Sequence, residues 1–133
     1  MAQGRHILLV SDDTTIEHLR SALTRAASSH TLALVRTKHD IEKAPMPALI
    51  LLDLVSQSDS PFELLRWLRS DERYQKTPVF ALASSNVKER IDEAYALGAN
   101  SCILRESESA GFDHIAHGIA TYVSLRPSTP VAL

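Results

Sequence analysis

Cysteine occurs once in this chain, at Cys102, which excludes an internal disulfide framework. Long apolar runs are missing too: none approaches the roughly 18 residues that a membrane-spanning helix requires. The 14 basic and 16 acidic residues are spread along the chain and give a formal net charge of -2. There is no basic stripe to attract nucleic acid and no acidic tail. The opening residues 1–6 lead into a strand-like run without the apolar core and cleavage site of a secretory signal, so a soluble cytoplasmic protein is expected. No internal repeat, low-complexity tract or attached output domain is visible.

What the chain does have is enough apolar content, 44% of 133 residues, to bury one sizeable core. Short apolar runs at 7–10, 31–35, 48–52, 79–83 and 101–104 read as strands. Between them the apolar residues recur at helical spacing. Ile16, Leu19, Leu23 and Ala26 share one face of a first helix, with Thr14 and Glu17 placed as a capping box. A short second helix is expected over 40–44, ended by Pro45 and Pro47. Phe62, Leu65 and Leu68 mark a third. Val87, Ile91 and Ala94 mark a fourth, which stops at the left-handed cap Gly98. Phe112, Ile115, Ile119 and Tyr122 mark the fifth.

The first, third and fourth strands are almost wholly apolar, as expected of a parallel sheet covered on both faces. Strand and helix alternate throughout, which implies an α/β doubly wound sheet. In such sheets ligands sit beyond the carboxyl ends of the strands. The residues there are Ser11, Asp12 and Asp13 after the first strand, Asp53 after the third, Ser84, Ser85 and Asn86 after the fourth, and Arg105 and Glu106 after the fifth. Crowded carboxylates raise one pKa or demand a cation, and hard oxygen ligands suit Mg2+. An aspartate beside such a cation can attack a phosphoryl donor.

Together, Ile7-Leu8-Leu9-Val10, Ile50-Leu51-Leu52-Asp53-Leu54, Thr77-Pro78-Val79-Phe80-Ala81-Leu82 and Gly98-Ala99-Asn100 resemble the receiver domain of response regulators, in order and in spacing. The segment Leu68-Arg69-Ser70-Asp71 before Pro78, with the tail after the last helix, resembles the small stand-alone regulators that partner phytochrome-type histidine kinases. The resemblance implies a flavodoxin-like fold: five parallel strands in the order 2-1-3-4-5, with about five helices. The domain would span 5–126, with a tail at 127–133.

It also implies a phosphoaccepting switch that takes phosphate from a histidine kinase and controls protein binding, with no catalytic turnover of its own. The face made by the fourth helix, fifth strand and fifth helix is the expected site of partner binding or of a homodimer. Asp53 matches the phosphoacceptor, Asp12 the acid contacting Mg2+, and Val55 the position that offers a backbone carbonyl to the metal. The family's switch hydroxyl aligns with Ala83, leaving Ser84 one residue along, and its lysine aligns with Arg105 at the phosphate site. Ser11 replaces the first acid of a pair, and Asp13 is placed to contribute through water or to start the first helix. Glu106 replaces a proline, Cys102 an aromatic residue, and Gln57 and Pro61 the usual proline and glycine. Ser11 lowers the negative charge while Arg105 adds a permanent positive one, so the site is expected to balance with little or no Mg2+.

Other readings of the same fold compete. A pseudo-receiver would bind a kinase or dimerise without phosphate control, as Ser11, Ala83 and Cys102 would allow. A haloacid-dehalogenase-type phosphohydrolase needs a second acid two residues after its nucleophile, where this chain has Val55. A flavin protein needs a phosphate cradle where this chain has an acidic first turn. The six histidines, at positions 6, 18, 30, 39, 114 and 117, fall on different elements without a ligand pattern. Trp67 reads as a partly covered surface aromatic and Cys102 as a small strand filler.

Overall fold

A computed structural model describes residues 5–55, 60–83, 88–104 and 109–125. The elements in chain order are β1 (His6–Val10), α1 (Ile16–Ala26), β2 (Thr31–Val35), α2 (Lys38–Lys43), β3 (Leu49–Asp53), α3 (Pro61–Ser70), β4 (Val79–Ala83), α4 (Lys88–Ala96), β5 (Ser101–Leu104) and α5 (Ser109–Leu125). Every strand pairing is parallel, in the order β2-β1-β3-β4-β5. This is the doubly wound, flavodoxin-like sheet expected from the sequence.

Side chains alternate across the sheet, so each central strand feeds two cores. Ile7, Leu9, Leu49, Leu51 and Leu82 pack under α1 and α5 against Ile16, Leu19, Leu23, Phe112, Ile119 and Val123. Leu8, Val10, Ile50, Leu52, Val79 and Ala81 face the other way, against Ile41, Leu64, Leu65, Leu68 and Ala94. β3 is buried along its whole length. Each fully covered leucine or isoleucine contributes about 1.5–3 kcal/mol of transfer free energy before entropy is counted. These central strands therefore form a rigid floor beneath the strand ends.

Three expectations are corrected. The Thr14–Glu17 capping box does not form: Thr15 is the N-cap, it is already helical in φ and ψ, and its side chain makes no cap hydrogen bond. Asp13 serves the helix start instead, its carboxylate accepting the Thr15 N–H at 3.0 Å and its carbonyl the Ile16 N–H at 3.1 Å, while Glu17 turns to Arg20 at 3.2 Å. Ala26 is exposed, and Ala22 and Ala27 complete the buried face. The second helix begins at Lys38, ahead of the expected 40–44, because Thr37 and Asp40 form a capping box there.

The end of α3 is tied to its surroundings by one side chain. Arg69 donates from Nε to the Gly98 carbonyl at 2.9 Å and from Nη1 to those of Tyr74 at 3.0 Å and Thr77 at 2.8 Å. Its Nη2 donates to the Asn100 side chain at 2.7 Å. Asn100 in turn accepts the Val79 N–H at 2.9 Å, which fixes the entry to β4. Gly98 has φ +111°, and a Cβ there would lie 2.8 Å from Arg69 Cγ. The expected glycine stop after α4 is thus also a packing requirement.

Candidate functional site

β1 and β3 are parallel neighbours in register, with Val10 opposite Leu52, so the residues that follow, Ser11 and Asp53, meet at the top of the sheet. Asp53 closes β3 itself, one residue beyond the expected strand end, and is fully buried. The Ser11 hydroxyl donates to Asp53 Oδ2 at 2.6 Å, and the Val55 N–H donates to Oδ1 at 3.0 Å. Short bonds to a charged acceptor are the strong kind. Ser11 is itself buried; its backbone N–H donates to the Val35 carbonyl at 3.0 Å, and its Oγ accepts the Asp13 N–H at 3.1 Å.

Asp12 and Asp13 are half-buried beside this pair. Asp13 is the residue that starts α1, as one of its two expected roles had it. Ala83, expected to align with the switch hydroxyl, is fully buried and packs with the α3 and α4 side of the core, its side chain a methyl group. Ser84, Gln57, Val87, Arg105 and Glu106 lie outside the described residues.

The oxygens expected to face a divalent cation are those of the Asp53 and Asp12 carboxylates and the Val55 carbonyl. Their oxygen chemistry fits Mg2+ or a similar hard ion. The set carries one carboxylate fewer than an acidic residue at position 11 would give, and Ser11 spends its proton on Asp53. Among the described residues no group of three or more His, Cys, Asp or Glu side chains is arranged to hold a metal.

Two features had no signal in the sequence. Arg90 on α4 reaches across to donate to the Leu54 carbonyl at 2.5 Å, immediately after Asp53, and its guanidinium lies 5.2 Å from the centre of the Phe62 ring. This couples α4 to the turn after β3 through residues far apart in the chain. Tyr95, also on α4, accepts the Cys102 N–H through its hydroxyl at 3.1 Å. The hydroxyl of an aromatic residue therefore reaches the backbone of β5 although position 102 itself has no aromatic group. Cys102 is half-buried, and burial raises its thiol pKa. Trp67 is half-covered as expected, tilted against Tyr74 with Lys38 Nζ 4.9 Å from its ring centre.

A carboxylate buried at the switch point of a 2-1-3-4-5 sheet, with two more acids on the adjoining turn, defines a receiver-type α/β domain. Known proteins share this architecture. The chain is 25% identical to the phosphorylated cyanobacterial phytochrome response regulator RcpA, with a TM-score of 0.82 over 96% of this chain and 99% of that one. The Mn2+-bound form of response regulator Rcp1 is 22% identical, with a TM-score of 0.79 over 96% and 99%. Among curated proteins, the chain is 33% identical over 94 residues to the transcriptional regulatory protein GltR of Pseudomonas aeruginosa. That match takes in 68% of this chain but 38% of the length of that protein. The two-component response regulator ORR5 of Oryza sativa subsp. japonica is 25% identical over 75% of this chain and 77% of that protein. No protein-family model matches the chain. In fold the chain matches response-regulator receiver domains, and the curated proteins it resembles include a response regulator of two-component signalling. Among the described residues no helix is long and apolar enough to cross a membrane.

Proposed function

We propose that this chain is a phosphoaccepting switch in which a histidine kinase donates a phosphoryl group to Asp53. The observation that carries the reading is the buried Asp53 carboxylate, fixed by Ser11 and the Val55 N–H at the switch point of the sheet. An Asp53 oxygen attacks phosphorus as the P–N bond to the kinase phosphohistidine, protonated on its other ring nitrogen, breaks, leaving an aspartyl phosphate and a neutral imidazole. Held there, the carboxylate has lost its orientational freedom before the donor arrives. A divalent cation, which Asp12, Asp53 and the Val55 carbonyl would hold, would offset the charge of the transferring group.

Phosphorylation would add about 1.5–2 negative charges at neutral pH next to Leu54, whose carbonyl accepts Arg90. The bond from Arg90 to the Leu54 carbonyl gives that charge a mechanical route to α4. The α4-β5-α5 face, where Tyr95 and Leu104 are about half exposed, is the surface proposed for a protein partner or a second copy. The domain proper is taken as 5–126 with a tail at 127–133, cytoplasmic, and acting stoichiometrically without turnover. Ala83 favours one alternative: a pseudo-receiver whose contacts ignore phosphate, since no hydroxyl at that position can follow the phosphoryl group.

Incubation with acetyl phosphate and Mg2+, followed by intact-mass measurement, separates the two. The receiver reading expects one added phosphoryl group in the native chain and none in Asp53→Asn. No addition to folded native protein would leave the pseudo-receiver.

A further inference from the structure

Ser11 is locked on both sides. Its single proton goes to Asp53 Oδ2 at 2.6 Å, and its oxygen accepts the Asp13 N–H at 3.1 Å. Burial keeps water from replacing either partner. An acid at this position would have no proton to donate to Asp53 and would set a second negative charge against it. Two carboxylates so close repel one another unless a cation lies between them. A donating hydroxyl and a tightly held cation are therefore alternative ways of stabilising charge on the buried Asp53.

We infer that Ser11 sets the metal dependence of this site: its hydroxyl takes over part of the stabilisation of Asp53 that a divalent cation would give, leaving a weak cation site that an acid at position 11 would tighten. The inference rests on the proposed reading of Asp53, Asp12 and Val55 as the cation-facing donors. It adds that one side chain, directly bonded to Asp53, decides how far the chain depends on a metal to hold that carboxylate in place.

The test is calorimetric titration of Mg2+ into the full chain at neutral pH, paired with urea unfolding with and without Mg2+. Ser11→Asp is expected to bind Mg2+ on the order of tenfold more tightly, because carboxylate count tunes affinity at such sites. Its urea midpoint should rise over Mg2+ concentrations that leave the native chain almost unmoved. Adding Asp53→Asn to Ser11→Asp should remove the gain. Equal affinity in the native chain and Ser11→Asp, or a gain that survives Asp53→Asn, would overturn the inference.

Ser11→Ala guards against misfolding of the acidic variant. Without the hydroxyl, Asp53 relies more on the cation, so Mg2+ should raise the midpoint of Ser11→Ala more than that of the native chain; identical shifts would contradict the inference. If no variant gains phosphoryl from acetyl phosphate while the Mg2+ pattern holds, the acceptor reading fails and the role of Ser11 toward the cation stands.

Discussion

Asp71 shows how a single residue can carry a pH signature at a distance from the site. Its carboxylate accepts the Arg73 guanidinium, from Nη2 at 2.7 Å and Nε at 3.1 Å, and the Arg73 N–H at 2.9 Å. The Arg73 side chain first, and then its backbone, lower the carboxyl pKa from the ordinary 3.8 to about 2. A folded-state value below the unfolded one gives stability that is present above about pH 4 and lost as pH falls toward 2. In urea unfolding, Asp71→Asn should therefore be less stable than the native chain at neutral pH, with the difference closing between pH 4 and 2. A difference independent of pH across that window would contradict the assignment. Asp71 was visible in the sequence only as part of the phytochrome-partner resemblance. Its pairing with Arg73 is a turn geometry that spacing does not announce.

At the scale of the element, legibility followed burial. β1, β3 and β4 were readable because both faces of a central parallel strand are covered, which leaves an apolar run with hard edges. The start of α1 was misread because several residues before it, Asp13, Thr14 and Thr15, can all cap a helix. The choice fell to Asp13, which is also bonded to Ser11. α2 was misplaced because Thr37 and Asp40 form a short-range signal beside a weak apolar pattern in which Ile41 alone is buried.

The junction of α3, α4 and β4 is a tertiary network focused on Arg69, and nothing local encodes it. Arg69→Lys is expected to lose about 2–3 kcal/mol, because an ammonium cannot reproduce the planar fork that reaches Gly98, Thr77 and Asn100. Gly98→Ala should cost more than about 1 kcal/mol through positive φ and contact with Arg69. The two are in contact, so the double variant should lose less than the sum of the single losses. Strict additivity in urea unfolding would show that they act separately.

For the whole molecule, the topology was legible from the alternation of strands and helices, and Asp53 from its place at the end of the third. What the sequence could not show was how Asp53 is held. The bond from Ser11 depends on the register between strands 42 residues apart in the chain. The reach of Arg90 to Leu54 depends on how α4 lies relative to the turn after β3. Ser11 reads in sequence as a lost charge; in the folded chain it is also a hydrogen bond to Asp53.

The central claim is that this buried, hydroxyl-bonded carboxylate is the nucleophile. Borohydride reduction of protein treated with acetyl phosphate, followed by peptide mapping, tests it directly, since an aspartyl phosphate is reduced to homoserine. The expected result is homoserine at position 53, with Asp12 and Asp13 unchanged. Homoserine at either of those residues, or at none of the three, would contradict the account.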